Sequence, residues 1–272
     1  MLQRAARILE KDEPDLVDVL VRRLREEGVV LELSAHVERV TVEGAQKVVH
    51  GRVGVEPRTW RAAEIMLGAG RVPNLEGLGL QDVGVEVGAR GVVVDDAYRT
   101  SVKSIYAAGD LAGRWLFTHA AGYEASRAVR NMFFPGSASG AFLVPWCTFT
   151  DPELAHAGLT VAQAQERHGA DEVQVWRTGL DHSDRARAEG LAHGAIILVT
   201  AKGRLVGAHA LAPAAGEIVN ELAVAVQRGM KLTELASVVH VYPTIGIAIQ
   251  QLAGEAAYEG ARRYRRLVRS VA

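Results

Sequence analysis

"SIYAAGDLAG", residues 104–113, closes a run of small and apolar residues, Ile105 to Ala108, with a glycine and a carboxylate, Gly109 and Asp110. The run reads as the end of a buried strand. A carboxylate at such a tip costs free energy unless a donor hydrogen-bonds to it. Asp110 therefore either closes a turn as a local acceptor or holds a ligand. Just downstream, "FTHAAGYEASRAV" predicts a helix from about Thr118 to Phe133, whose first turn presents backbone N–H groups without intrahelical partners. An acceptor followed by a helix N-terminus suits a ligand with hydroxyls and an electron-rich end.

Working toward the N-terminus, Pro14 fits a first helical position, Leu16, Leu20 and Leu24 recur at a four-residue spacing, and Gly28 stops the pattern. The stretches "VVLELSA", "VERVTV", "KVVHGRVGV" and "TWRAAEIMLGAG" then read as strands separated by turn residues. A compact α/β domain would also place a strand before the first helix, so the natural chain is expected to extend upstream. Between "GRVPNLEGL" and Asp110, "GVVVDDAYRTSVKSIYAAGD" predicts two strands around a polar link. Toward the C-terminus, "FPGSASGAF" has linker composition and marks a boundary near residue 138. Beyond it lie a predicted helix at Val161–Arg167, strands "EVQVWRTG", "GAIILVTAKG" and "RLVGAHALA", and helices from about Ala215, Thr233 and Gly246.

Composition narrows the partners. The 272 residues are 49% hydrophobic and 23% charged, with 31 basic and 32 acidic side chains, which gives a formal net charge of -1 and no global attraction to nucleic acid or an anionic membrane. No run approaches the ~18 apolar residues of a membrane span. "MLQRAARILEKDEPD" has charges where a secretory signal needs an apolar core. The lone cysteine, Cys147, excludes an intramolecular disulfide; beside Trp146 and Phe149 it reads as a packed residue. A cytoplasmic protein with small-molecule partners, no nucleic acid and no membrane is expected.

"TSVKSIYAAGDLAG" closely resembles the second flavin-binding motif of the FAD-dependent pyridine nucleotide-disulfide oxidoreductases, the family of dihydrolipoamide dehydrogenase, glutathione reductase and mercuric reductase. Three further stretches are similar to that family in order and spacing. "LEKDEPDLVDVLVRRLREEGVVL" resembles the second half of its NAD(P)-binding domain, "IMLGAGRVPNLEGLGL" the return into the FAD domain, and "VPWCTFTDPELAHAGLT" the start of the dimerisation domain. The resemblance implies that Gly109 and Asp110 serve FAD, with Asp110 hydrogen-bonded to the ribityl chain. It implies that Thr118, His119 and Ala120 open a helix pointing N–H groups at the flavin pyrimidine. Gly70 and Arg71 would lie beside the nicotinamide nucleotide.

Departures from the family pattern bear on the chemistry. Disulfide-reducing members carry His-Pro-Thr with a glutamate five positions after the histidine. Here "HVYPTIGIAIQQL" puts Tyr242 at the histidine's position and Ile247 at the glutamate's, with His240 two residues earlier. A phenol there is a poor base near neutral pH, since its ordinary pKa is ~10, but it can donate a hydrogen bond to an acceptor. Tyr242 and His240 are the candidate catalytic residues. The family's Gly-rich phosphate loops and redox cysteine pair have no counterpart in this sequence, and "GVEVGARG" lacks the strand-to-helix context of a phosphate fingerprint. "LDHSDRARAEG" groups His182 with Asp181 and Asp184 without the spacing of a metal site, and G-x-S-x-G and H-E-x-x-H are absent. The arginines at 262, 263, 265, 266 and 269 read as a solvated helix face or a subunit contact.

The expected fold class is α/β plus α+β: a partial FAD/NAD(P)-binding Rossmann-like region followed by an α+β dimerisation domain. The expected boundaries are 1–69 for part of the NAD(P)-binding domain, 70–138 for the C-terminal segment of the FAD-binding domain and 139–272 for the dimerisation domain. The resemblance implies FAD and NAD(P)H as cofactors, a homodimer, and transfer of a hydride to flavin and on to a small-molecule acceptor such as mercuric ion, a quinone or a disulfide. The alternative is a dimerising or binding module without catalysis.

Overall fold

The computed structural model describes residues 1–136, 140–191 and 193–262, the side chains of 261 and 262 excepted. The expected boundary at 138, the arginines at 263, 265, 266 and 269 and the side chain of Arg262 lie outside the described residues.

The first helix, α1 (Pro14–Glu26), starts at the predicted proline. Asp15 stands in its first turn and Arg23 and Arg25 in its last, each at the end of the helix dipole that favours its charge. Leu16, Val17 and Leu20 on one face are buried. Three antiparallel strands follow in the order β1 (Ala35–Glu43), β2 (Gln46–Val53) and β3 (Glu56–Ala62). Their two tight turns carry Gly44 and Gly54 at φ +63 and +60, which a two-residue hairpin requires. Two expected strands fall short. "VVLELSA" contributes an isolated bridge between Leu2 and Glu32, with only Ala35 joining β1. β3 stops at Ala62, leaving "EIMLGAG" unpaired, with Met66 and Leu67 exposed. Strand conformation needs a neighbour for its N–H and C=O groups: residues 30–35 find one only in the short stretch 1–5, where the Gln3 N–H donates to the Glu32 carbonyl and the Ser34 N–H to the Ala5 carbonyl, while "EIMLGAG" joins no strand among the described residues.

The next segment is mostly irregular. β4 (Val87–Gly88) pairs with β5 (Gly91–Val92), and Arg99 bridges Tyr106. The expected strand Ile105–Ala108 is therefore held at one bridge only, and its apolar character serves a small core of Val85, Val92 and Ala107 with Ile105 and Leu111. A single 3-10 turn, Gly109–Leu111, leads toward α2 (Thr118–Phe133), whose bounds match the prediction.

The remainder runs β6 (Trp146–Thr148), β7 (Glu153–Gly158), α3 (Val161–His168), β8 (Val173–Gly179), α4 (Asp184–Ala188), β9 (Ala195–Ala201), β10 (Arg204–Ala212), α5 (Ala215–Arg228), α6 (Leu232–Ala236) and α7 (Ile247–Arg262). The sheet order is β6-β7-β10-β9-β8, antiparallel throughout. Every residue of β9 is buried. Ala195, Ile197 and Val199 pack with Leu16 and Leu20 of α1 and Ala164 of α3. Ile196 and Leu198 fill the opposite face, as period-two alternation demands. α3 opens with a capping box between Thr160 and Gln163.

A polar row crosses the face that α1 covers. Trp146, His156 and His209 are cross-strand partners on β6, β7 and β10. The Trp146 and His156 rings stack at 3.7 Å, and His156 and His209 lie 4.7 Å apart. Trp146 Nε1 donates to Asp12 Oδ1 at 2.9 Å, and Glu13 Oε2 accepts from the Val161 N–H at the start of α3. Burial pushes the His156 imidazole down to about 4 and His209 to about 3, the latter helped by its neighbour His156. Burial likewise raises Asp12 and Glu13 above the ordinary carboxylate range. Each imidazole gives its Nε2 to a carbonyl, Gly158 at 2.8 Å and Leu159 at 3.1 Å, and neither Nδ1 has a partner. Glu13 Oε2, 3.8 Å from a His209 nitrogen already committed to Leu159, faces a neutral ring across more than hydrogen-bond distance.

The chain forms two compact units, Met1–Ile65 with Pro145–Ala272, and Met66–Val144. Among the described residues no helix is long and apolar enough to cross a membrane.

Candidate functional site

The candidate residues fall into two groups, one in each unit. In the Met66–Val144 unit, Gly109 takes φ +69, and a Cβ there would lie 2.7 Å from the Ala121 Cβ. Glycine is required on both counts. The Gly109 N–H donates to Glu124 Oε2 at 2.7 Å. Glu124 is fully buried, and its second oxygen, Oε1, has no hydrogen-bond partner. Asp110, with its side chain 37% exposed, accepts an ion-pair contact from Arg71 Nη2 at 3.0 Å. Arg71 Nη1 donates to the Leu116 carbonyl at 3.2 Å. Thr118, His119 and Ala120 form the first turn of α2, where Phe117 at the cap position supplies no side-chain acceptor. The His119 ring stacks on Phe117 at 5.3 Å, and Ala120 is buried. Gly70, at φ +115, has nothing within 4 Å of where a Cβ would stand. The structure thus joins Arg71 to Asp110 and leaves Gly70 open.

In the other unit, the segment after α6 carries Tyr242 and His240. Tyr242 is exposed, and its hydroxyl donates to Asp184 Oδ2 at 3.1 Å. That hydrogen bond, and then the charge of Asp184, hold the phenol pKa above its ordinary value. His240 Nδ1 faces the Val238 carbonyl at 3.0 Å and Nε2 faces Glu221 Oε1 at 2.8 Å. Its backbone N–H donates to Gln250 Oε1 on α7. Both ring nitrogens are engaged with oxygens, so His240 fastens this segment to α5. Ile247, where the family pattern has glutamate, is the first residue of α7.

Other sequence candidates carry no site. His182 Nδ1 meets Asp181 Oδ1 at 3.1 Å in open solvent. Among the described residues no three His, Cys, Asp or Glu side chains are arranged to hold a metal ion. Cys147 is half-buried with its Sγ toward Glu153 Oε2 at 3.7 Å, and burial followed by that carboxylate pushes the thiol up to about 12. Three partnerships escape sequence reasoning: Glu124 with Gly109, Asp184 with Tyr242 and Glu221 with His240. Only Glu124 leaves a trace, since it shares a four-residue spacing with the buried Ala120 and Ala128.

Residues 1–125 match the family model for the pyridine nucleotide-disulphide oxidoreductases, and residues 144–253 match that for their dimerisation domain. The mercuric reductase of Bacillus cereus is 34% identical over 201 residues, which are 73% of this chain and 32% of that enzyme. The dihydrolipoyl dehydrogenase of Chlorobaculum tepidum is 31% identical over 258 residues, 92% of this chain and 54% of the enzyme. Among solved structures, the HOCl-induced flavoprotein disulfide reductase of Escherichia coli superposes with a TM-score of 0.84 at 26% identity, covering 93% of this chain and 58% of that one. The chain therefore spans from a third to somewhat over half the length of these relatives.

Proposed function

This chain belongs to the pyridine nucleotide-disulphide oxidoreductase family, and on that premise we propose that it is the C-terminal part of a FAD-dependent NAD(P)H oxidoreductase. FAD, when bound, supplies a two-electron relay from NAD(P)H to an acceptor such as mercuric ion, a quinone or a disulfide. The observation that carries the reading is the Asp110 turn. The partly exposed carboxylate is an acceptor for ligand hydroxyls, and the buried Glu124 holds the backbone of Gly109 beneath it while keeping an unsatisfied oxygen. These groups fit a polyhydroxyl chain running past the start of α2, whose positive dipole end favours an electron-rich ring.

The chain's own residues then divide the work. Asp110 accepts from hydroxyls, Thr118, His119 and Ala120 present the helix end, and Gly70 leaves space for a nicotinamide nucleotide. Tyr242 contacts the acceptor. Its proton is held by Asp184, so it presents an oxygen lone pair and does not serve as a base. His240 positions that segment. The dimerisation-domain match supports a homodimer in which Tyr242 of one subunit serves the other. A cytoplasmic location is part of the same reading. The match of residues 144–253 to the dimerisation-domain model favours a second reading, a dimerising or binding module without catalysis of its own.

The test is a visible absorption spectrum of the purified chain after FAD is added and the excess removed, followed by NADH and then NADPH. Retained flavin that bleaches with a nicotinamide nucleotide supports the oxidoreductase reading. No retained flavin leaves the module reading for the chain by itself.

A further inference from the structure

By resemblance alone Arg71 belongs beside the nicotinamide nucleotide, but its guanidinium is turned elsewhere. One nitrogen, Nη2, lies 3.0 Å from Asp110 Oδ2, and the other, Nη1, donates to the Leu116 carbonyl at 3.2 Å. These partners stand at the two ends of the loop that joins the Gly109–Leu111 turn to α2. The geometry points to Arg71 as a positioning residue of the flavin site, a clamp that fixes the Asp110 carboxylate relative to the start of α2.

The planar fork explains the choice of residue. A guanidinium can place two N–H groups in fixed directions on two acceptors, which a lysine ammonium on a flexible stem does not do. Neighbouring arginines are committed to other tasks: Arg114 donates to the Val94 and Asp95 carbonyls and lies over Tyr98, and Arg127 lies over Tyr98, Tyr123 and Phe142. Below the loop the backbone is set from the other side, by the Gly109 contact with Ala121 and the bond to Glu124. The clamp therefore restrains the Asp110 carboxylate from outside the turn. It also places a cation beside the carboxylate, so that an anionic ligand meets a neutral pair.

The inference rests on the flavin reading of Asp110, and its test separates the two. Amide hydrogen exchange of residues 109–118 is measured on the full chain without ligand for the parent, Arg71→Lys, Arg71→Gln, Asp110→Asn and the Arg71→Gln/Asp110→Asn pair. FAD affinity is measured on the same proteins by flavin fluorescence. The clamp requires faster exchange in Arg71→Gln by about fivefold, as for an exposed charged contact, with no further gain on adding Asp110→Asn and partial rescue in Arg71→Lys. FAD affinity should fall by a similar factor in Arg71→Gln. Unchanged exchange, or a loss of response to NAD(P)H with FAD affinity intact, would overturn the clamp. A parent chain that binds no FAD while its exchange follows the expected pattern would overturn the flavin reading and leave the clamp standing.

Discussion

Acidification should destabilise the Met1–Ile65 and Pro145–Ala272 unit through two buried rings. His156 and His209 are neutral in the folded chain, with pKa values of about 4 and about 3 against an ordinary 6.5. Because both folded values are lowered, the unfolded chain takes up the protons first. The stability they contribute is complete above the unfolded value and falls as the pH drops from there toward the folded values. At pH 5 each ring has crossed about 1.5 units of that interval, which at ~1.36 kcal/mol per unit is about 2 kcal/mol, or about 4 kcal/mol for the pair. Asp12 and Glu13, whose raised values act in the opposite sense, offset part of this in any protein that keeps them. The comparison is therefore between the parent and His156→Gln/His209→Gln, in which an amide can still donate to the Gly158 and Leu159 carbonyls. Urea unfolding at pH 8 and pH 5 should show the parent losing about 4 kcal/mol more than the double variant. Equal losses, within about 1 kcal/mol, would refute the claim that these rings are held neutral by burial.

Other outcomes follow from single contacts. Gly109→Ala meets both a left-handed backbone and the Ala121 side chain, and should destabilise its unit by about 1–3 kcal/mol in thermal melts. Thr160→Ala removes the capping box of α3 and should cost about 1 kcal/mol in urea unfolding. Asp184→Asn should bring the Tyr242 phenol back down toward its ordinary value, read as an earlier rise in tyrosinate absorbance that is absent from Tyr242→Phe. Cys147, with its thiol pushed up to about 12, should resist alkylation at pH 8 in the folded chain and react after unfolding.

What the sequence discloses follows the reach of the interactions. The bounds of α1 and α2 are legible because a helix bonds within itself, and Pro14, Gly28 and the four-residue spacings mark it locally. β10 is legible since Leu205–Ala212 is apolar apart from His209 and follows a turn at Gly203. "VVLELSA" and "EIMLGAG" have the same apolar character, yet strand structure depends on a partner elsewhere in the chain, which their own residues do not encode. The site divides in the same way. Asp110 announces itself as a carboxylate after small residues. The Arg71 fork, the Asp184 acceptor for Tyr242 and the Glu221 partner of His240 are set by tertiary folding and leave no periodic mark.

The unit that holds the two histidines is built from stretches separated by the whole of residues 66–144. Glu13 meets the start of α3 across 148 positions, and Leu16 and Leu20 rest on Leu211. As the polypeptide leaves the ribosome, α1 emerges well before β6 to β10, and the sheet that covers its apolar stripe is not complete until β10 has been synthesised. Residues 66–144 can close their small core in the interval. A helix made before residues 66–144 then docks only after them, and during that wait its leucine face is a part of the nascent protein that a chaperone would meet.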